Sequence, residues 1–297
     1  MQIGENQMEV IQSPDAFGDL EENSFVGSLP NMAESTIAFK GKGNVVYCED
    51  GVVLQSSSIT FEGDNGLLML GRSKHFYKLD TSININCSLV IGRDVYFNGP
   101  AHVIVSEECS ILIGDGCLMS FGVWFRTADP HLVFDAESHQ RINYSKSIIV
   151  GDHVWIGQEA LLLKGAVIGS GAIVGARSVV AGKTIPSNSS WGGNPARMIR
   201  DGIFWEGSCV HTWTSKKTKK RSRIDGAPYI YEVDSSSISQ GGFSLPKGSV
   251  KAVERLSRYL QFGYDNGVHN RLSTQLVVQK RRRLALLKTL GRKARHS

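Results

Sequence analysis

Cysteine is scarce and scattered in this chain. The five (Cys48, Cys87, Cys109, Cys117 and Cys209) are odd in number and never form a CxxC pair, which argues against a disulfide framework or a cysteine-type zinc site. Only 8 prolines stand against 32 glycines in 297 residues, and 41% of the chain is hydrophobic. A collagen-like or wholly disordered chain is thereby excluded. No run approaches the roughly 18 apolar residues of a membrane span. The opening MQIGENQMEVIQ has neither a basic region nor an apolar block, so no secretory signal is expected and the expectation is a soluble, cytoplasmic protein. Lys and Arg are absent from residues 1–36, which carry seven acids, whereas residues 211–297 carry 19 basic and 5 acidic groups. The body between them, with 14 basic and 16 acidic groups, is nearly neutral, so the net charge of +5 hides three regions of unlike character.

The clearest pattern is an internal repeat between Val150 and Ile185. Cut into sixes it reads VGDHVW, IGQEAL, LLKGAV, IGSGAI, VGARSV, VAGKTI. Position one is always aliphatic (Val150, Ile156, Leu162, Ile168, Val174, Val180), and position five is always small or short-branched (Val154, Ala160, Ala166, Ala172, Ser178, Thr184). Looser units precede these from Ile91, Phe97, Ile113 and Met119. A helix places apolar residues three and four apart, and an ordinary strand every second residue. One aliphatic at every sixth position describes short strands joined by tight corners, coiling as a solenoid whose three flat sides each take one hexapeptide.

On these residues the sequence resembles the hexapeptide-repeat acyltransferases over about residues 85–205, ending in GGNPARMIR (Gly192 to Arg200). The resemblance implies an all-β solenoid, the left-handed parallel β-helix, a handedness that periodicity alone does not provide. The register breaks between Phe125 and Ile148, in RTADPHLVFDAESHQRINYSKS, and a polar stretch of that length must loop out of a coil. D-x-H, an acid four residues on, RIN and then V-G-D-H-V-W-I-G are most similar to bacterial capsule and sialic-acid O-acetyltransferases. That likeness places His131 as general base and Trp155 as the active-site tryptophan. Imidazole suits the task, because it can take a sugar hydroxyl's proton as the oxygen attacks a thioester. Asp129 or Asp135 is expected to orient the ring, and the Gly157 region or the Trp155 indole to supply oxyanion donors. The plainer readings are a surface histidine and a ring that covers the solenoid wall. His131 and His139 share the loop while His153 stands in a hexapeptide beyond it, a spacing that does not suit a zinc site, so no metal is expected.

The resemblance further implies acetyl-CoA as donor, held in a groove between the subunits of a homotrimer. Gly157, Ala176 and Ser178 match wall positions beside the pantetheine arm. Asn194, Pro195, Arg197 and Arg200 match the adenine and phosphate end, where guanidinium geometry suits phosphate. The acceptor it implies is a hydroxyl of a capsular or lipopolysaccharide sugar, with a sialic-acid polymer favoured. Rival readings are an acetyltransferase for a small molecule, such as an antibiotic or nucleotide-sugar amine, and a non-catalytic scaffold.

Four regions are expected. Residues 1–36 form an acidic arm of low order, residues 37–84 a β-rich cap or first coils, and residues 85–205 the solenoid with its loop at 126–147. Residues 206–297 form a basic extension with helices near 249–262 and 276–293. Its charge points to an acidic polymer or to peripheral contact with the inner membrane; no nucleic acid is expected.

Overall fold

The computed structural model describes residues 8–226 and 229–231. The two helices expected at 249–262 and 276–293, with the SSSISQGG linker before them, lie outside these residues. The chain winds as a parallel β-solenoid with three flat sides, whose long sheets hold eight, eight and six strands, beside a two-stranded sheet of Asn31–Ala33 and Val53–Gln55. Successive strands step from side to side: Ser88–Ile91 lies in the second sheet, Tyr96–Phe97 in the third, Ala101–Val105 in the first and Ser110–Ile113 in the second again. Antiparallel strands close both ends, Glu9–Ile11 against Thr36–Phe39 and Arg197–Asp201 against Ser189–Gly192.

The hexapeptide rule explains the core of the last coils. All six position-one residues from Val150 to Val180 are buried, and so are Val154, Ala160, Ala166, Ala172 and Ser178 at position five. The aliphatics stack on their equivalents one coil away, while the small residue lets the backbone turn a corner without opening a void.

Coil length changes along the molecule. In the second sheet Ser24, Val45, Leu67, Ser88 and Ser110 pair in turn, and each coil between them is longer than three hexapeptides. Later partners in that sheet, Ile149 with Val167 and Val167 with Thr184, are separated by three hexapeptides or slightly less. Longer coils enclose a wider section, and it is filled by larger side chains. Phe39 stacks on Phe61 with ring centres 4.8 Å apart, and Tyr77 is fully buried with its hydroxyl donating to the carbonyls of Gly71 and Gly92.

Two expectations about the ends are corrected. The acidic N-terminal stretch is no arm from Met8 onward: Ser24–Gly27 pairs with Val45–Cys48 in the second sheet, and Phe17 is buried in the core. Nor does the fold stop at residue 205. Trp205 and Tyr231 are buried, and Asn188 clamps the returning chain, donating to the Tyr229 carbonyl (2.7 Å) and accepting from the Tyr231 N–H (2.8 Å). His153 occupies a left-handed corner (φ 52°) and is sandwiched between the Trp205 and Tyr229 rings at 4.0 and 4.1 Å. Burial lowers its pKa below the usual histidine range. Among the described residues, α-helix is confined to Ser215–Lys220, and no helix is long and apolar enough to cross a membrane.

Candidate active site

Between Ile111 and its partner Ile148 the chain makes a far longer excursion than any other coil, about nineteen residues beyond the short coils that follow. The excess leaves the corner between the first and second sheets after Arg126, as the sequence register predicts. It folds into a hairpin: Phe134 bridges Arg141, the Asp135 N–H donates to the Gln140 carbonyl and the Ile142 N–H to that of Val133. Asn143, buried at its base, ties the two limbs together. Its Nδ2 donates to the His131 carbonyl (2.7 Å) and to Asp129 (3.1 Å), and its Oδ1 accepts the Val133 N–H (2.9 Å). Two ion pairs hold the hairpin to the coils on either side, Arg141 with Glu107 (2.7 Å) and Asp129 with Lys164. Arg141 pulls the Glu107 carboxyl down to about 2, and the Lys164 ammonium holds Asp129 below the usual carboxylate range.

His131 is therefore fixed by its main chain, with its ring exposed. Neither expected orienting group reaches that ring. Asp129 is spent on Lys164 and Asn143. Asp135 accepts the Ser138 N–H and hydroxyl (both 2.8 Å) and the Glu137 N–H (3.2 Å), which close the hairpin tip and lower its pKa. At the hairpin tip the Asp135 carboxylate is taken up by the turn's own Glu137 and Ser138 donors, which lie two and three residues on.

Trp155 stands on the third sheet, 38% exposed, its indole N–H donating to Ser120 Oγ at 3.3 Å. The loop leaves a corner of the first and second sheets, so one chain does not bring His131 and Trp155 together. The Gly157 N–H is also consumed, by the Val174 carbonyl at 2.7 Å, so it is not a free oxyanion donor. Gly157 is glycine for a packing reason: a Cβ there would lie 2.5 Å from the Ala176 nitrogen of the next coil.

The Bacterial transferase hexapeptide (six repeats) family model matches residues 147–182. A polysialic acid O-acetyltransferase of Neisseria meningitidis is 36% identical over 185 residues, which cover 62% of this chain and 85% of that protein. This chain belongs to the hexapeptide-repeat O-acetyltransferases. A polysialic acid O-acetyltransferase of Escherichia coli O1:K1 / APEC is 41% identical over 117 residues, 39% of this chain and 38% of that protein. Among solved structures, the polySia-specific acetyltransferase NeuO superposes with a TM-score of 0.59 at 28% identity, covering 67% of this chain and 93% of that one. The solenoid is thus the family's left-handed parallel β-helix.

Within this O-acetyltransferase the residues expected at the donor fall into two groups. Ala176, Asn194, Pro195, Arg197 and Arg200 are exposed along the last corner and the closing strand Arg197–Asp201. Gly157 and Ser178 are buried. The Ser178 hydroxyl is buried and accepts the Gly193 N–H at 3.1 Å, so it shapes the final turn. Asn143, Lys164, Glu107 and Arg141 were not singled out by sequence reasoning, although Arg141 and Asn143 belong to the RIN motif. Glu107 and Lys164 meet their partners at separations that only coil stacking defines, and Asn143 meets its own only when the hairpin closes.

Proposed function

We propose that the protein transfers acetyl from acetyl-CoA to a hydroxyl of an acidic capsular polysaccharide, a sialic-acid polymer in the first instance. The observation that carries this reading is His131, held by its backbone on a pinned hairpin while its imidazole stays open to a substrate. Both named relatives are polysialic acid O-acetyltransferases and NeuO is a polySia-specific acetyltransferase, which supports the choice of acceptor. His131 takes the hydroxyl proton as the sugar oxygen attacks the thioester carbonyl. The C–S bond then breaks, and the imidazolium returns the proton to the departing thiolate. No covalent enzyme intermediate is needed.

The active unit in this reading is a homotrimer, in which His131 of one subunit faces Trp155 of its neighbour across a groove that takes the donor. Its support is the apolar skin of the hairpin, where Leu132, Phe134, Ile142 and Tyr144 are all exposed on the single chain. Ala176, Asn194, Pro195, Arg197 and Arg200 then line the donor end. Exposed cations from Lys216 to Arg223 offer further contact to a polyanion or an anionic surface. Light scattering should give three times the chain mass; a stable, active monomer would contradict the shared groove.

The test of the function is incubation of purified glycans with acetyl-CoA and the protein, followed by mass spectrometry. Acidic sialic-acid polymers should gain about 42 Da per acetyl, and coenzyme A thiol should appear in step. Thiol release only with amine acceptors would move the protein to the small-molecule reading. Trp155→Ala should weaken substrate use by roughly 1–2 kcal/mol, read as a raised KM. A lower melting temperature with unchanged KM would instead make Trp155 a wall residue.

A further inference from the structure

The outward side of the first sheet carries a second set of polar groups beside the catalytic hairpin. Across adjacent coils one row runs Asp80, His102, Trp124, Leu161, and the next runs Ser82, Ile104, Arg126, Leu163. Val103 and Phe125, the alternate residues, point into the core. Asp80 accepts a hydrogen bond from His102 Nδ1 at 2.8 Å, and the imidazole stacks on the Trp124 ring at 4.4 Å with 17° between planes. A proton held on Nδ1 leaves Nε2 of the neutral ring as an acceptor.

Three groups on this patch have no hydrogen-bond partner among the described residues: His102 Nε2, the Trp124 indole N–H and Arg126 Nε, which is itself buried. The indoles of Trp155, Trp191 and Trp205, by contrast, all donate to the protein. Arg126 helps to lower the pKa of Asp129, but that carboxylate already pairs with Lys164 and Asn143. A guanidinium with a desolvated, unmet donor, beside one further donor and one acceptor, is complementary to a carboxylate carried on a hydroxylated ring.

We infer that this patch is an acceptor subsite for a carboxylated sugar residue. Arg126 pairs with the carboxylate, Trp124 donates to a sugar oxygen, and His102, oriented by Asp80, accepts from a hydroxyl. The inference rests on the acidic-glycan reading above and deepens it. Arg126 precedes His131 closely in the chain, where the hairpin springs from the sheet, so a sugar held here presents its neighbour along the polymer to the base. Arg126 thereby selects acidic over neutral acceptors.

The test uses the full chain and two probes, a sialic-acid oligosaccharide and the same oligosaccharide with its carboxyls reduced to alcohols. Binding is read by calorimetry without donor, and transfer by KM and kcat. The wild type should prefer the acidic probe by about 10- to 100-fold, the worth of a charge-assisted pair. Arg126→Gln should erase that preference by weakening the acidic probe alone, and Arg126→Lys should restore part of it. Equal losses on both probes, or a preference that survives in Arg126→Gln, would overturn the subsite. So would a change in oligomer mass, which would make Arg126 a subunit contact. Because binding is measured without donor, selective binding with no acetyl transfer would refute the proposed reaction and leave the subsite standing.

Discussion

Replacing His131 with alanine should lower kcat by about 10²–10⁴-fold, the usual worth of a positioned general base, while the melting temperature stays close to that of the parent. The first half follows from the proposed role of His131 as base, the second from the geometry. The hairpin is held by the Asn143 side chain, by the Arg141–Glu107 and Lys164–Asp129 pairs and by main-chain hydrogen bonds. The imidazole contributes to none of these, so its removal takes away chemistry and leaves structure. Thiol release from acetyl-CoA in the presence of an acidic acceptor is the measurement, with circular dichroism alongside. Near-normal turnover would remove His131 from the mechanism. A collapse in melting temperature would show that the ring supports the loop.

The largest effect on stability is expected far from that site. Arg93 and Glu49 form a bidentate pair across two coil steps, with both contacts at 2.7 Å and side chains only 4% and 11% exposed. Glu49 also accepts the Arg72 N–H at 2.9 Å, so three coils meet at one carboxylate. Arg93→Ala strands that carboxylate in a nearly dry corner and should cost about 3–5 kcal/mol. In a solenoid each coil rests mainly on its neighbours, so the loss should show first as faster amide exchange in the wide N-terminal coils. Arg93→Met combined with Glu49→Leu should recover most of the stability, because removing both charges removes the desolvation penalty. A loss below about 1 kcal/mol for Arg93→Ala would mean that water reaches the pair.

Much of the architecture was legible between Val150 and Ile185, where each coil holds three nearly equivalent hexapeptides. There the residue that faces the core recurs at every sixth position. The hairpin was legible for the same reason in reverse, since the long excursion from Ile111 to Ile148 cannot hold the period. The N-terminal coils hid their kinship. The coils from Ser24 through Val45, Leu67 and Ser88 to Ser110 are not whole multiples of the hexapeptide, so the inward position slides along the chain and the first coil reads as an acidic arm.

The amino-acid sequence by itself thus determined the repeating core and the place of the hairpin that carries His131. Tertiary structure decided what each polar group does. Asp129 faces Lys164, Asp135 closes its own turn, Ser178 looks inward, His153 holds the returning chain, and Arg126 is left with a donor unmet. The physical reason lies in range. Inward aliphatics obey a local period set by the geometry of one strand and one corner, which a linear pattern records. Hydrogen bonds and ion pairs form between coils or across the loop, and their partners are set by how much chain each coil happens to contain.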